Sequence, residues 1–112
     1  MLKDCTHKPL DGTSICAECP RPDSWKLFAK CRQFDPDMWF VGEDQPSQCM
    51  KAVRICMTCP VRGYCLEKGW AERFGIWGSF TSLERERLRR VFPMHPDVKV
   101  RRRLIRTIAH RL

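Results

Sequence analysis

Apolar residues recur at helical spacing in five segments of the chain, and no segment shows the strict alternation of a β-strand. We therefore predict an all-α fold, a small helical domain without a sheet. The predicted helices cover residues 25–34, 48–56, about 60–73, 82–92 and 98–112. In the last of these, Leu104, Ile105, Ile108 and Leu112 form an apolar stripe between arginines.

Capping and breaking residues support these boundaries. Ser24 and Ser47 are candidate N-caps, and Pro60 suits a first helical turn, where its missing N–H is not needed. Thr81 and Glu84 have the spacing of a capping box, which predicts a helix starting near Ser82. The stretch "FGIWGS" (residues 74–79) predicts a tight turn that displays a tryptophan.

Eight cysteines in 112 residues are far above ordinary usage, and they indicate that disulfides or bound metal stabilise the thin core of a small domain. The N-terminus does not have the apolar run of a secretory signal, and no stretch is long and apolar enough to span a membrane. These features predict a cytoplasmic protein, where thiols stay reduced and bind metal more often than they form disulfides. Structural disulfides remain the alternative, although eight cysteines allow 105 pairings and the spacing favours none.

The charge is unevenly distributed. Residues 81–112 hold ten Lys or Arg against three acids, whereas residues 1–80 hold eleven against ten. We therefore predict a Cys-rich N-terminal segment (1–23), a metal-binding domain (24–92) and a basic C-terminal segment (93–112).

The densest cysteine motif is "CMTCPVRGYC", residues 56–65. Cys56 and Cys59 lie on one turn, so both sulfurs can face one centre, and Cys65 follows near the start of a helix, whose positive end favours thiolate. Four thiolates suit either zinc or an iron–sulfur cluster, and zinc is the commoner outcome in small domains. These three residues do not identify a fourth ligand.

Six features in order resemble the WhiB-like family of actinobacteria and their phages: Cys31, the segment "DPDMWF", Cys56, Cys59, Cys65 and the turn "GIWGS". The resemblance covers about residues 25–112. It implies a small helical transcription factor, not an enzyme, with a redox- and nitric-oxide-sensitive [4Fe-4S] cluster on Cys31, Cys56, Cys59 and Cys65. It also implies disulfide formation in the apo form. Cys49 is then a small buried apolar residue.

The resemblance further implies that the tryptophan turn and the aromatic segment contact region 4 of the primary sigma factor of RNA polymerase. The residues concerned are Trp39, Phe40, Gly75, Trp77 and Gly78. The same aromatic residues could instead cover the cluster, and both roles are compatible. Ser79 departs from the family's glycine, and it fits only if the backbone adopts a conformation open to non-glycine residues.

Two further groups of residues carry candidate chemistry. Cys5, His7, Cys16 and Cys19 could form a second, zinc-binding site, or they could belong to a flexible arm. Six cations within thirteen residues predict contact with DNA phosphates: Lys99, Arg101, Arg102, Arg103, Arg106 and Arg111. The apolar stripe of this segment could equally dock on the sigma domain or on a second copy.

Two other functions compete with a cluster-containing regulator. One is a zinc-binding nucleic-acid adaptor without a redox role. The other is a thiol–disulfide oxidoreductase that uses Cys56 and Cys59, although a third cysteine after such a pair is atypical. The sequence contains no other grouping of acid, base and nucleophile that suggests an enzyme.

Overall fold

The computed structural model describes residues 18–42 and 44–110. These residues form four α-helices and no β-strand, which confirms the all-α prediction. The α-helices are α1 (Pro46–Met57), α2 (Arg62–Gly69), α3 (Ser82–Val91) and α4 (Val98–Ala109). Three short 3₁₀-helices precede them, at Asp23–Phe28, Lys30–Gln33 and Pro36–Phe40.

The helix predicted over residues 25–34 is instead two 3₁₀-helices, because Ala29 between them is extended (φ −76°, ψ 132°). Along one continuous α-helix, Trp25 and Cys31 would point about 120° apart. With the break, both side chains line the same cavity. The extended conformation at Ala29 therefore allows Trp25 and Cys31 to line the cavity together, which a continuous helix would not.

The later helices begin and end close to their predicted positions. α1 starts at Pro46, one residue before the predicted cap, and α2 is shorter than predicted. The capping box of α3 is confirmed: Glu84 N donates to Thr81 Oγ1 (3.2 Å), and Thr81 N donates to Glu84 Oε1 (2.9 Å).

The basic C-terminal helix is docked on the cysteine-bearing part of the chain. Ile105 and Ala109 of α4 are buried against Leu66, Trp70 and Phe80. This apolar contact uses the stripe that the sequence predicted, and it sets α4 directly against α2. Among the helices of the described residues, none has the length and apolar character needed to cross a bilayer.

Candidate metal centre

Four cysteines line one apolar cavity of about 360 Å³. Cys31 comes from a 3₁₀-helix, Cys56 from the end of α1, Cys59 from the turn after it, and Cys65 from α2. The aromatic walls include Trp25 and Phe34. The fold thus brings together the four residues that the resemblance selected as ligands.

The same four thiols influence one another electrostatically. Burial raises the pKa of Cys65 to about 12, and the charge of Cys56 adds to this effect. Burial likewise raises the pKa of Cys56 and of Cys31, and Cys59 contributes to both shifts. The thiols of Cys31, Cys56 and Cys65, whose pKa values are raised, stay protonated unless a metal cation compensates the thiolate charge, because a bound cation reverses the effect of burial.

Hydrogen-bond donors from outside the cysteine motif point at these sulfurs. Trp39 Nε1 donates to Cys56 Sγ at 3.1 Å, and Gly78 N donates to Cys65 Sγ at 3.3 Å. The backbone N–H of Ser79 also hydrogen-bonds to Cys56, which lowers the pKa of that thiol against the larger effect of burial. Donors of this kind stabilise negative charge on sulfur.

The four thiols of the cavity are ligands that suit either zinc or an iron–sulfur cluster. Zinc holds sulfur at about 2.3 Å, so four zinc ligands converge tightly. Within residues 18–42 and 44–110, no three His, Cys, Asp or Glu side chains are arranged to hold a single metal ion. Four thiols around one apolar cavity fit the ligand chemistry of an iron–sulfur cluster.

Cys49 lies outside this cavity. Its side chain is buried on α1, and its Sγ faces the carbonyl oxygen of Gly42 at 3.4 Å. This placement matches the interpretation of Cys49 as a small buried residue.

The tryptophan turn lies against α2 and requires unusual backbone conformations. Gly75 and Gly78 have φ of 89° and 58°. A Cβ on Gly78 would lie 2.7 Å from the carbonyl oxygen of Arg62, so glycine is also needed there for close approach. Ser79 has φ of 73°, in the left-handed region that a non-glycine residue enters at a cost.

The residues predicted to bind a partner divide into two groups. Phe40 is 60% exposed, and Trp77 is half-buried beside it. Trp39 is 6% exposed, so it covers the cavity and does not present its ring to a partner. The sequence interpretation did not include Phe74, which is 75% exposed and is next to the turn. Its position at the start of "FGIWGS" was the sequence feature that could have added Phe74 to the predicted partner-binding residues.

We define the aromatic patch as Phe40, Phe74 and Trp77. A Cβ on Gly75 would contact Phe40 and lie 3.1 Å from Trp77 Nε1, which places these side chains around one glycine. Trp77 Nε1 donates to the carbonyl oxygen of Phe74 at 3.0 Å, which fixes the indole. The patch is next to the mouth of the cysteine cavity, since Phe40 and Trp77 also line that cavity.

Several cations predicted to bind DNA have intramolecular partners. Arg106 is fully buried, ion-paired with Glu67 at 2.6 Å and 4.8 Å from the Tyr64 ring. In this conformation its guanidinium cannot reach a phosphate, so Arg106 must be removed from the DNA-contacting set. An arginine-rich stretch indicates positive charge, but it does not reveal a partner 39 residues away.

The neighbouring arginines are more accessible. Arg103 pairs with Glu18 at 2.7 Å but remains largely exposed, and Arg102 donates to the Glu18 backbone. Arg101 donates to the carbonyl oxygen of His95, and Lys99 is exposed. Arg111 lies outside the described residues.

Of the proposed zinc ligands, only Cys19 lies within the described residues, where it is half-buried. Cys5, His7 and Cys16 lie outside them.

Comparison with known proteins relates this chain to a family of transcription factors. The family described as Transcription factor WhiB matches residues 25–88. Over 70 residues the chain is 44% identical to the transcriptional regulator WhiB2 of Mycobacterium tuberculosis, covering 61% of this chain and 76% of that protein. The same identity and length relate it to WhiB2 of Mycolicibacterium smegmatis, of which 53% is covered. It is 40% identical over 68 residues to the regulator WhiB of Streptomyces coelicolor, covering 59% of this chain and 76% of that protein.

Proposed function

Because the chain belongs to the WhiB family of transcription factors, we propose that it is a redox- and nitric-oxide-responsive regulator with a [4Fe-4S] cluster on Cys31, Cys56, Cys59 and Cys65. The observation that carries this proposal is the convergence of four thiols, from four separate segments, on one apolar cavity. When bound, the cluster supplies a one-electron centre that oxygen and nitric oxide can attack.

The protein's own residues hold the thiolates and limit access of water. Trp39 and the turn residues Gly78 and Ser79 donate hydrogen bonds to ligand sulfurs, which favours the thiolate form required for metal binding. Aromatic side chains wall the cavity. Without the bound metal, the buried thiols would take up protons and would no longer connect α1, α2 and the N-terminal 3₁₀-helices.

The partner side of the proposal rests on the aromatic patch of Phe40, Phe74 and Trp77. Phe40 and Phe74 are exposed and Trp77 is half-buried, and large apolar side chains at a surface beside charged residues are typical of interface hot spots. Region 4 of the primary sigma factor would bind here, at the mouth of the cluster cavity. Because the patch adjoins the cavity, loss of the cluster would disturb the surface that binds the sigma factor.

DNA would be bound by the cations of the C-terminal segment other than Arg106, which are Lys99, Arg101, Arg102, Arg103 and Arg111. Contacts of this kind are made to phosphates, so the affinity should fall steeply with salt, by about 0.9 log unit per contact for each log unit of salt. The run contains no Asn or Gln to read base edges.

Purification without air tests the cluster. We expect a brown protein with about four iron atoms per chain and an equal amount of acid-labile sulfide. Cys31→Ser should abolish iron binding, whereas Cys49→Ser should retain it, because Cys31 lines the cavity and Cys49 does not. A colourless protein with stoichiometric zinc would contradict the proposal and would support the zinc-binding adaptor.

A binding experiment with the C-terminal domain of the primary sigma factor tests the partner. Trp77→Ala in the cluster-loaded chain should weaken binding at least tenfold, as expected for an aromatic hot spot. Val91→Ala is the matched control, because Val91 is 67% exposed but lies on α3 outside the aromatic patch. Equal affinities of the two variants would show that the patch is not the sigma-binding surface.

A further inference from the structure

Arg85 of α3 is a fully buried arginine in a highly charged helix. Its guanidinium donates to backbone carbonyl oxygens of the segment that leads into and through the tryptophan turn: Gly75 at 2.7 Å, Phe80 at 2.8 Å, Glu72 at 3.0 Å and Phe74 at 3.3 Å.

This contact set constrains the turn at several points. The planar guanidinium has five N–H groups in a rigid fork, so it can hold several carbonyl groups in one relative orientation. The bonded residues span both ends of the turn, from Glu72 to Phe80. Within that span lie the three positive φ values at Gly75, Gly78 and Ser79, which an isolated peptide would not hold.

The orientation of the turn matters because its N–H groups point at ligand sulfurs. Gly78 N donates to Cys65 Sγ at 3.3 Å, and the Ser79 N–H hydrogen-bonds to Cys56. Arg85 binds the carbonyl side of the same short segment. The two sets of bonds hold the segment between α3 and the cysteine cavity.

We infer that Arg85 is a positioning residue that preorganises the tryptophan turn. The backbone N–H groups of the turn are then directed at the sulfurs of Cys56 and Cys65 before any cluster is bound. Through these N–H groups, Arg85 raises the reduction potential of the bound cluster. The reduced cluster carries one more negative charge than the oxidised cluster, so N–H···S hydrogen bonds stabilise it more. This second statement rests on the proposed function, whereas the preorganisation does not.

The first experiment needs no cluster. Amide hydrogen exchange is measured by NMR on the full-length, metal-free chain with thiols kept reduced. In the wild type, the amides of Gly78 and Ser79 should be protected. In Arg85→Lys they should exchange roughly ten- to a hundredfold faster, because a lysine ammonium cannot bond all four carbonyls and leaves buried acceptors unsatisfied.

Arg89→Lys is the matched control. Arg89 lies one turn further along α3 and donates to one carbonyl oxygen, that of Trp70, at 2.7 Å. It makes the same kind of bond from the same helix but does not hold the turn. Its substitution should leave the exchange of Gly78 and Ser79 unchanged, so equal acceleration in both variants would overturn the inference.

The second experiment measures the midpoint potential of the anaerobically reconstituted protein. Arg85→Lys should have a lower potential than the wild type at equal iron content, and Arg89→Lys should not. An unchanged potential in Arg85→Lys would overturn the link to the sulfurs. If the wild type binds no iron, the proposed function fails, and the exchange experiment still decides whether Arg85 orders the turn.

A variant that does not fold does not leave the inference untested. If Arg85→Lys loses its helical circular dichroism, the metal-free wild type still tests whether the turn is held before a cluster is bound. Protection of Gly78 and Ser79 in that protein supports a turn held without a cluster. Exchange at the rate of an unstructured peptide overturns it, because the turn would then depend on the cluster.

Discussion

Glu67 on α2 holds the C-terminal helix through arginines, and its substitution should undock that helix. The Glu67 carboxylate pairs with Arg106 at 2.6 Å and with Arg21 at 3.0 Å, and it lies 3.9 Å from Arg102. Arg106 is fully buried and stacks on Tyr64, so it cannot recover its hydration without leaving the interface.

The magnitude follows from what remains buried after each change. Removing one partner of a buried ion pair typically costs about 3–5 kcal/mol, because the other charge stays unpaired. In Glu67→Gln the amide oxygen still accepts one bond, and the Glu67 side chain is 16% exposed, so we expect about 2–3 kcal/mol. In Arg106→Met the buried charge itself is removed, and Glu67 keeps Arg21. This change should therefore cost less than about 1.5 kcal/mol.

Urea unfolding followed by far-ultraviolet circular dichroism measures both changes in the full-length chain. Glu86→Gln is the control, because Glu86 forms an exposed pair with Arg90 and should cost at most about 0.5 kcal/mol. The reasoning is refuted if Glu67→Gln is no more destabilising than this control. It is also refuted if Arg106→Met costs as much as Glu67→Gln, since the asymmetry comes from the unpaired buried charge.

Three further changes test other parts of the structure. Trp39→Phe keeps an aromatic ring but removes the donor to Cys56, so it should reduce stability by about 1 kcal/mol and speed cluster loss in air, measured by absorbance. A Gly→Ala change normally stabilises a helix by about 1 kcal/mol, but a methyl group at Gly69 would overlap the Trp77 ring. We therefore expect Gly69→Ala to lower the urea midpoint, and a raised midpoint would contradict this packing. Burial and a nearby arginine of α2 lower the pKa of His110 to about 4, against about 6.5 when unfolded. Its stabilising contribution is therefore complete above pH 6.5 and is lost as the pH falls toward 4. Urea midpoints across this range should depend less on pH in His110→Gln, and an identical pH dependence would exclude the effect.

The features that the sequence predicted correctly are those set by short-range chemistry. The capping box at Thr81 and Glu84 depends on bonds between residues three apart, so its two partners are visible in the sequence itself. The α-helical periodicity of residues 98–109 is local in the same way. The choice of Cys31 over Cys49 came from family resemblance, since spacing alone left both open.

Local patterns failed where a distant contact outweighed them. Two 3₁₀-helices at residues 23–33 replace a predicted α-helix, and in this conformation Trp25 and Cys31 both line the cavity. Trp39 was a candidate for the partner surface, yet its indole is buried with its N–H on Cys56, seventeen residues away.

The cysteine spacing, the helical periodicity and the capping residues of this chain were determined by the sequence alone, because each depends on neighbours within a turn or two. The burial of Arg85 and Arg106, and the partners of their guanidinium groups, were decided only by the tertiary structure. Both lie in charged stretches that predict a solvated face, yet both are fully buried. Burial of a guanidinium is tolerated only where the fold supplies acceptors, here turn carbonyls for one and Glu67 of another helix for the other. The acceptors lie 5 to 13 residues from Arg85, across a turn, and 39 residues from Arg106, so helical periodicity encodes neither approach.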